Sequence, residues 1–199
     1  MRHSKHKNIL LAIAAVVLLG GAFMLYGLQK DDTAQAPVVT ASDYKNIEYS
    51  IDGQNVMLKN GIAETDTGSN AESKTVTRYF GNEFVTDLND DGRDDVVFLL
   101  TQETGGSGTF YYAVAALNTE DGYVGSDGYL LGDRVAPQTI GESPNPRHVN
   151  VVVVNYVDRA PGEPMTTQPS IGKSAYLKLD LERMQWGIVV PDFEGESAL

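Results

Sequence analysis

The stretch 47-IEYSIDGQNVMLKNGIA-63 decides the fold class. Ile47, Tyr49 and Ile51 alternate with Glu48 and Ser50, a period of two that places one apolar face on a strand. Asp52-Gly53 breaks the run, and Val56 and Leu58 resume the apolar spacing beyond it. Asp-Gly between alternating runs is a strong hairpin signal, because a tight two-residue turn needs positive φ at both central positions. Asn60-Gly61 repeats the same chemistry, so a second turn follows the first.

Outward from this stretch the same composition recurs. Segments 75-TVTRYF-80, 95-DVVFLLTQ-102, 109-TFYYAVAAL-117, 149-VNVVVVNYV-157, 174-SAYLKLDL-181 and 185-QWGIVV-190 are rich in Val, Tyr, Phe and Thr, with Gly, Pro and Asp between them. Nowhere in the body do apolar residues recur at helical spacing. The runs VVFLL and VNVVVV read as central strands buried on both faces. The expected fold is mostly β, one compact antiparallel or mixed domain of sandwich or barrel-like form, following one N-terminal transmembrane helix.

That helix is expected over residues 9–28, ILLAIAAVVLLGGAFMLYGL, which carry no charge and have the length of a bilayer core. The basic tail MRHSKHK precedes them, so residues 1–8 are expected in the cytoplasm and the body outside it, in the periplasm or at the cell surface. A cleaved signal peptide is the rival. Ala34-Gln35-Ala36 has the small-x-small form, but Pro37 follows it and the apolar run is long for a signal. Residues 29–43 read as a linker, 44–190 as the extracytoplasmic β domain and 191–199 as a C-terminal tail.

Composition excludes several chemistries. The chain of 199 residues has no cysteine, hence no disulfide scaffold, thiolate zinc site, cysteine nucleophile or lipidated N-terminal cysteine. Of three histidines, His3 and His6 lie in the tail and His148 stands alone, which argues against a histidine-rich metal site. Residues 31–199 carry 11 basic and all 27 acidic residues, a net charge of −16. Such a body repels nucleic acid and attracts cations.

The candidate site is 87-DLNDDGRDDVVF-98. Its pattern is D-x-N-x-D-G-x-x-D. Calcium takes about six to eight oxygen ligands. Side chains at positions 1, 3 and 5 of a curled loop converge from one side, and glycine at position 6 permits the positive φ of the sharp turn. The expected ligands are Asp87, Asn89, Asp91, the Arg93 carbonyl and Asp95, with the Arg93 side chain free to point away. Asp90 and Asp94 fall at non-ligand positions and are expected to face solvent. The metal-free alternative is an Asx-rich turn capped by its own side chains. Position 12 is Phe98 rather than the bidentate glutamate of an EF-hand, and a strand begins by position 10. In this the loop resembles the calcium loops of FG-GAP repeats, in which D-x-D-x-D-G-x-x-D joins two strands; the resemblance implies the same ligand set.

A wider resemblance runs over roughly residues 45–180. RYFGNE, DLN-x-DG-x2-D, FLLTQ, GGSGTFYY-x-VAALN, LLGDR-x-APQT, VNY-x-DR-x-PGEPMT and PS-x-G are similar to an uncharacterised family of small bacterial proteins with an N-terminal anchor or lipoprotein signal. The resemblance implies extracytoplasmic placement and one compact domain, and supplies no activity.

Catalytic motifs are weak. Asp66-Thr67-Gly68-Ser69 has the aspartic-protease form, with Tyr129–Gly132 as a second element, but it lies in the polar loop 64-ETDTGSNAESK-74 and has no second copy. Gly172-Lys173-Ser174 lacks the first glycine of a P-loop, and Gly105–Thr109 lacks the pattern of a nucleophile elbow. A Ser-His-Asp triad would have to use His148. Tyr111, Tyr112, Tyr123, Tyr129, Tyr156 and Trp186 read as core rather than as a ligand cleft. The loop 158-DRAPGEPMTTQPSIG-172, with Pro161, Pro164 and Pro169, reads as a packed crossover or as a docking loop for an envelope partner, and 141-GESPNPR-147 as a plain turn. The functional expectation is a binding or structural role with a calcium-stapled loop. The alternatives are an extracytoplasmic hydrolase and an accessory subunit of an envelope complex.

Overall fold

The computed structural model describes residues 43–66 and 74–190. The expected tail 1–8, transmembrane helix 9–28, C-terminal tail 191–199 and all of the linker but residue 43 lie outside the described residues. Among the described residues no helix is long and apolar enough to cross a membrane.

The described chain is mostly β, and every ladder between its strands is antiparallel. A short 3-10 helix, Tyr44–Asn46, leads into β1 (Glu48–Ile51) and β2 (Gln54–Met57), which form a two-stranded sheet. Then come β3 (Ile62–Asp66), β4 (Lys74–Thr86), β5 (Asp95–Glu103), β6 (Phe110–Thr119), β7 (Gly122–Gly125) and β8 (Tyr129–Asp133). They form a six-stranded sheet in the order β3-β4-β5-β6-β7, with β8 also on β6. A four-stranded sheet, in the order β12-β11-β10-β9, holds β9 (Ala136–Glu142), β10 (Val151–Asp158), β11 (Ile171–Asp180) and β12 (Gln185–Ile188). The two turns behave as their dipeptides require. Asp52 and Gly53 have φ of 50° and 73°, and Asn60 and Gly61 have 53° and 78°, the left-handed values of a type I′ turn.

The six-stranded sheet is the middle layer. On one of its faces Val97, Leu99, Ala113 and Ala115 meet Val152, Val154, Ala175 and Leu177 of the four-stranded sheet. On the other, Phe98, Leu100, Tyr112 and Val114 meet Tyr49, Ile51, Val56 and Leu58 of the β1–β2 hairpin. The alternation of strand side chains does this directly, since odd and even positions of β5 face opposite cores. Each fully buried Val, Leu or Phe contributes roughly 1.5–3 kcal/mol over an exposed one. Tyr112 is buried in the hairpin-side core and Tyr123 packs on it, while Tyr111, Tyr129, Tyr156 and Trp186 pack on the other.

Several elements differ from the expected bounds. Strand β4 runs on past Phe80 to Thr86, with register shifts near Gly81. Glu64, Thr65 and Asp66, expected in the polar loop, belong to β3, and β9 extends into the expected turn at 141–147. The proline-rich loop joins the neighbouring strands β10 and β11, held at its base while residues 161–166 are exposed. Arg159 donates through Nε to the Thr167 carbonyl at 2.6 Å and through Nη1 to the Arg134 carbonyl at 3.0 Å. Asp158 pairs with Lys173 at 2.7 Å at its base.

The point where the chain enters the domain is pinned. The Asp43 carboxylate accepts from the Lys45 N–H at 2.9 Å and caps the 3-10 helix. Tyr44 and Tyr79 both donate their hydroxyls to Glu83 Oε1. Lys45 Nζ lies 3.3 Å from the same oxygen and 3.9 Å from the centre of the Tyr79 ring.

Candidate functional site

The acidic loop joins β4 to β5 and is curled by its own carboxylates. Asp87 Oδ1 accepts from the N–H groups of Asn89 and Asp91, each at 3.2 Å, and Oδ2 from that of Gly92 at 2.8 Å. Asn89 Oδ1 accepts from the Asp91 N–H at 3.2 Å, and its Nδ2 donates to Asp91 Oδ2 at 2.8 Å. The curl needs left-handed backbone at Asp90, φ 59°, and at Gly92, φ 81°. Residues 87, 89 and 91 are thereby brought together, as their spacing requires. Asp90 and Asp94 are exposed as expected, and Asp90 Oδ2 accepts from Asn150 Nδ2 at 2.9 Å.

Two side chains behave in ways the spacing does not reveal. The Arg93 guanidinium folds back. Its Nη2 donates to Asp91 Oδ2 at 2.6 Å and its Nε to the Asn118 carbonyl at 2.9 Å. Asp95 is fully buried at 0% exposure, and each of its oxygens accepts a main-chain N–H. Oδ2 takes that of Leu88 at 2.8 Å, and Oδ1 that of Asn118 at 2.7 Å. Asp95 therefore ties the loop to the end of β6 through hydrogen bonds of its own.

Electrostatics follow from these contacts. The Gly92 N–H, with those of Asn89 and Asp91, holds the Asp87 carboxyl below the usual carboxylate range. The Asn89 amide and the Arg93 N–H and guanidinium do the same for Asp91. Burial pushes Asp95 up, against the two N–H groups that favour its ionised form. Asp87, Asn89 and Asp91, with the Arg93 carbonyl, supply hard oxygen donors suited to calcium. Among the described residues no group of three or more His, Cys, Asp or Glu side chains is arranged to hold a metal ion.

Beside the loop lies a cleft of about 240 Å³ lined by Asp87, Glu142, Ser143, His148 and Asn150 among others. No sequence motif marks it, because its far wall comes from the end of β9, the start of β10 and the connection between them, remote in sequence from the loop. Ser143 Oγ lies 2.7 Å from His148 Nδ1. Asn145, 1% exposed, accepts the Arg147 N–H on its Oδ1 at 3.0 Å, and its Nδ2 lies 3.3 Å from His148 Nε2. Asp66 ends the edge strand β3, and Thr67–Ser69 lie outside the described residues.

No protein-family model matches the chain, and no curated protein or solved structure matches it either.

Proposed function

We propose that the chain is a membrane-anchored, extracytoplasmic β domain with a binding or structural role. In this reading calcium bound by Asp87, Asn89, Asp91, the Arg93 carbonyl and Asp95 staples the β4–β5 connection. The observation that carries it is the Asp87 curl, which gathers the oxygens of positions 1, 3 and 5 around a left-handed Gly92. The anchor rests on the uncharged run 9–28 behind a basic tail. An envelope partner docking on the proline-rich loop, and a hydrolase, are the alternatives.

Thermal unfolding of the full chain in millimolar calcium and in chelator tests the staple. A site with a dissociation constant of about 10–100 μM adds roughly 1.4–2.7 kcal/mol at 1 mM calcium, a rise of several degrees. Asp91→Ala abolishes that rise. Identical melting curves in both buffers sink the calcium reading.

A second reading has its own observation, the contacts of Arg93 with Asp91 and Asn118. Here the guanidinium is a built-in counter-charge and takes the metal's place. Arg93→Ala separates the two. It strengthens calcium binding if Arg93 competes for Asp91, and it lowers the melting temperature equally with and without calcium if Arg93 is the cation.

A further inference from the structure

Strands β2 and β3 are joined by the Asn60-Gly61 turn but do not pair along their length. Lys59 and Ile62 exchange hydrogen bonds at 2.8 and 3.2 Å, and that bridge closes one end of a slot between them. A cleft of about 390 Å³ lies between the strands, lined by Asn55, Met57 and Lys59 on one side and Ile62, Ala63, Glu64 and Thr65 on the other. A second cleft of about 280 Å³ shares Asn55 and Thr65 and continues to Asp52, Asp66 and Gln102.

Register determines what the slot offers. The Leu58 N–H donates to the Ile47 carbonyl at 3.0 Å. Alternation along β2 therefore turns Val56 and Gln54 toward β1, and the main-chain groups of Asn55 and Met57 away from it. The Gly61 carbonyl accepts from the Tyr79 N–H at 2.7 Å. Ala63 and Thr65 thus bond to β4, and the N–H and C=O of Glu64 and Asp66 face the slot. Neither strand has a second neighbour among the described residues, and the slot-facing main-chain groups of these four residues have no partner there; the Glu64 side chain pairs with Lys74 at 3.1 Å. Two free edges face each other, a template for one more strand.

The charges say which strand. The closed end carries Lys59, which has no ion pair among the described residues, and the far end carries Asp52 and Asp66. A strand inserted there cannot run on through the Lys59–Ile62 bridge. We propose that the slot captures the free C-terminus of an extended partner polypeptide. The last residues add as a strand parallel to β2 and antiparallel to β3. The terminal carboxylate meets Lys59, a basic residue upstream meets Asp52 and Asp66, and small or β-branched side chains turn inward onto Val56, Thr65 and Gln102.

The probe is a labelled hexapeptide pool with Lys or Arg first, the later positions drawn from Val, Ile, Thr and Ala, and a free carboxylate. The full chain in detergent is titrated by fluorescence anisotropy against this pool, its C-amidated form, and a form N-methylated at alternate residues. Saturable binding of the free acid is expected, at least tenfold weaker for the amide and absent for the N-methylated pool. Glu64→Pro removes a donor that β4 does not use, together with the exposed ion pair to Lys74, which contributes little to stability, so it weakens binding at least tenfold, whereas Glu64→Gln, which removes only the charge, melts with it and binds as the parent does. Lys59→Glu erases the preference for acid over amide. No saturable binding, equal binding of the N-methylated pool, or no preference for the free carboxylate overturns the proposal. A peptide-free dimer in sedimentation that Glu64→Pro dissolves assigns the slot to a second copy and overturns it as well.

Discussion

Asp95→Asn alters one atom in the most buried part of the acidic loop. The carboxylate accepts from Asn118 N–H at 2.7 Å and from Leu88 N–H at 2.8 Å, one on each oxygen. An asparagine keeps one acceptor and sets its amide NH2 against the other N–H, donor to donor. A charge-assisted hydrogen bond of about 1.5–3 kcal/mol is lost, and an unsatisfied buried N–H costs about 1–3 kcal/mol more. Part of this is offset, because a neutral side chain escapes the burial that pushes the Asp95 carboxyl up. The net loss is about 2–3 kcal/mol, a fall of roughly 4–12 °C at 2–4 °C per kcal/mol for a domain of this size. Circular-dichroism melts in chelator and in calcium measure it. Both N–H contacts are metal-independent, so most of the fall must occur in chelator. Asp95→Ala, which loses both acceptors, must fall further. A variant that melts with the parent in chelator, or that loses stability only in calcium, refutes the anchoring role.

Two further outcomes follow from other contacts. At Gly125 an added Cβ would lie 2.1 Å from the Glu48 carbonyl oxygen and 2.8 Å from Tyr49 Cδ1. Gly125→Ala must push β7 off β1 and cost about 1–3 kcal/mol or more, read as a lower urea midpoint with an unchanged slope. The Tyr44 and Tyr79 hydroxyls and Lys45 hold the Glu83 carboxyl below its usual range. Its folded pKa is depressed, so its contribution is present above the unfolded value of about 4.3 and is lost as pH falls through the folded one. Glu83→Gln should lower the melting temperature near neutral pH and flatten its decline below about pH 4.5; an unchanged acid limb would show that Glu83 is not coupled to folding.

The hairpin turns were legible because Asp-Gly and Asn-Gly have one strongly favoured use between alternating runs. Strand β5 was legible because an apolar run of that length must be buried on both faces. Strands β7, β8 and β9 were not. They are short, hold Gly122, Gly125, Gly132, Pro137 and Gly141, and are stabilised by neighbours rather than by propensity. Pro137 is tolerated because β9 is the edge of its sheet. The continuation of β4 past Phe80 was hidden by Gly81-Asn82, which reads as a turn and is accommodated by positive φ at both residues. Within the acidic loop, spacing placed Asp87, Asn89 and Asp91 together, because their contacts are local. The fold-back of Arg93 and the burial of Asp95 both depend on Asn118, more than twenty residues away across the sheet.

Sharing β5 and β6 between two cores bears on how the domain comes apart. Loss of the hairpin would uncover Phe98, Leu100 and Val114, all 0% exposed, while Val97, Leu99 and Ala115 stay covered on the same strands. Neither outer layer can leave without exposing the back of strands the other still needs. The central amides should exchange with solvent only in the globally unfolded chain, the hairpin and β12 through smaller openings. Thermal and denaturant unfolding should each trace one transition, with the hairpin and the four-stranded sheet lost together.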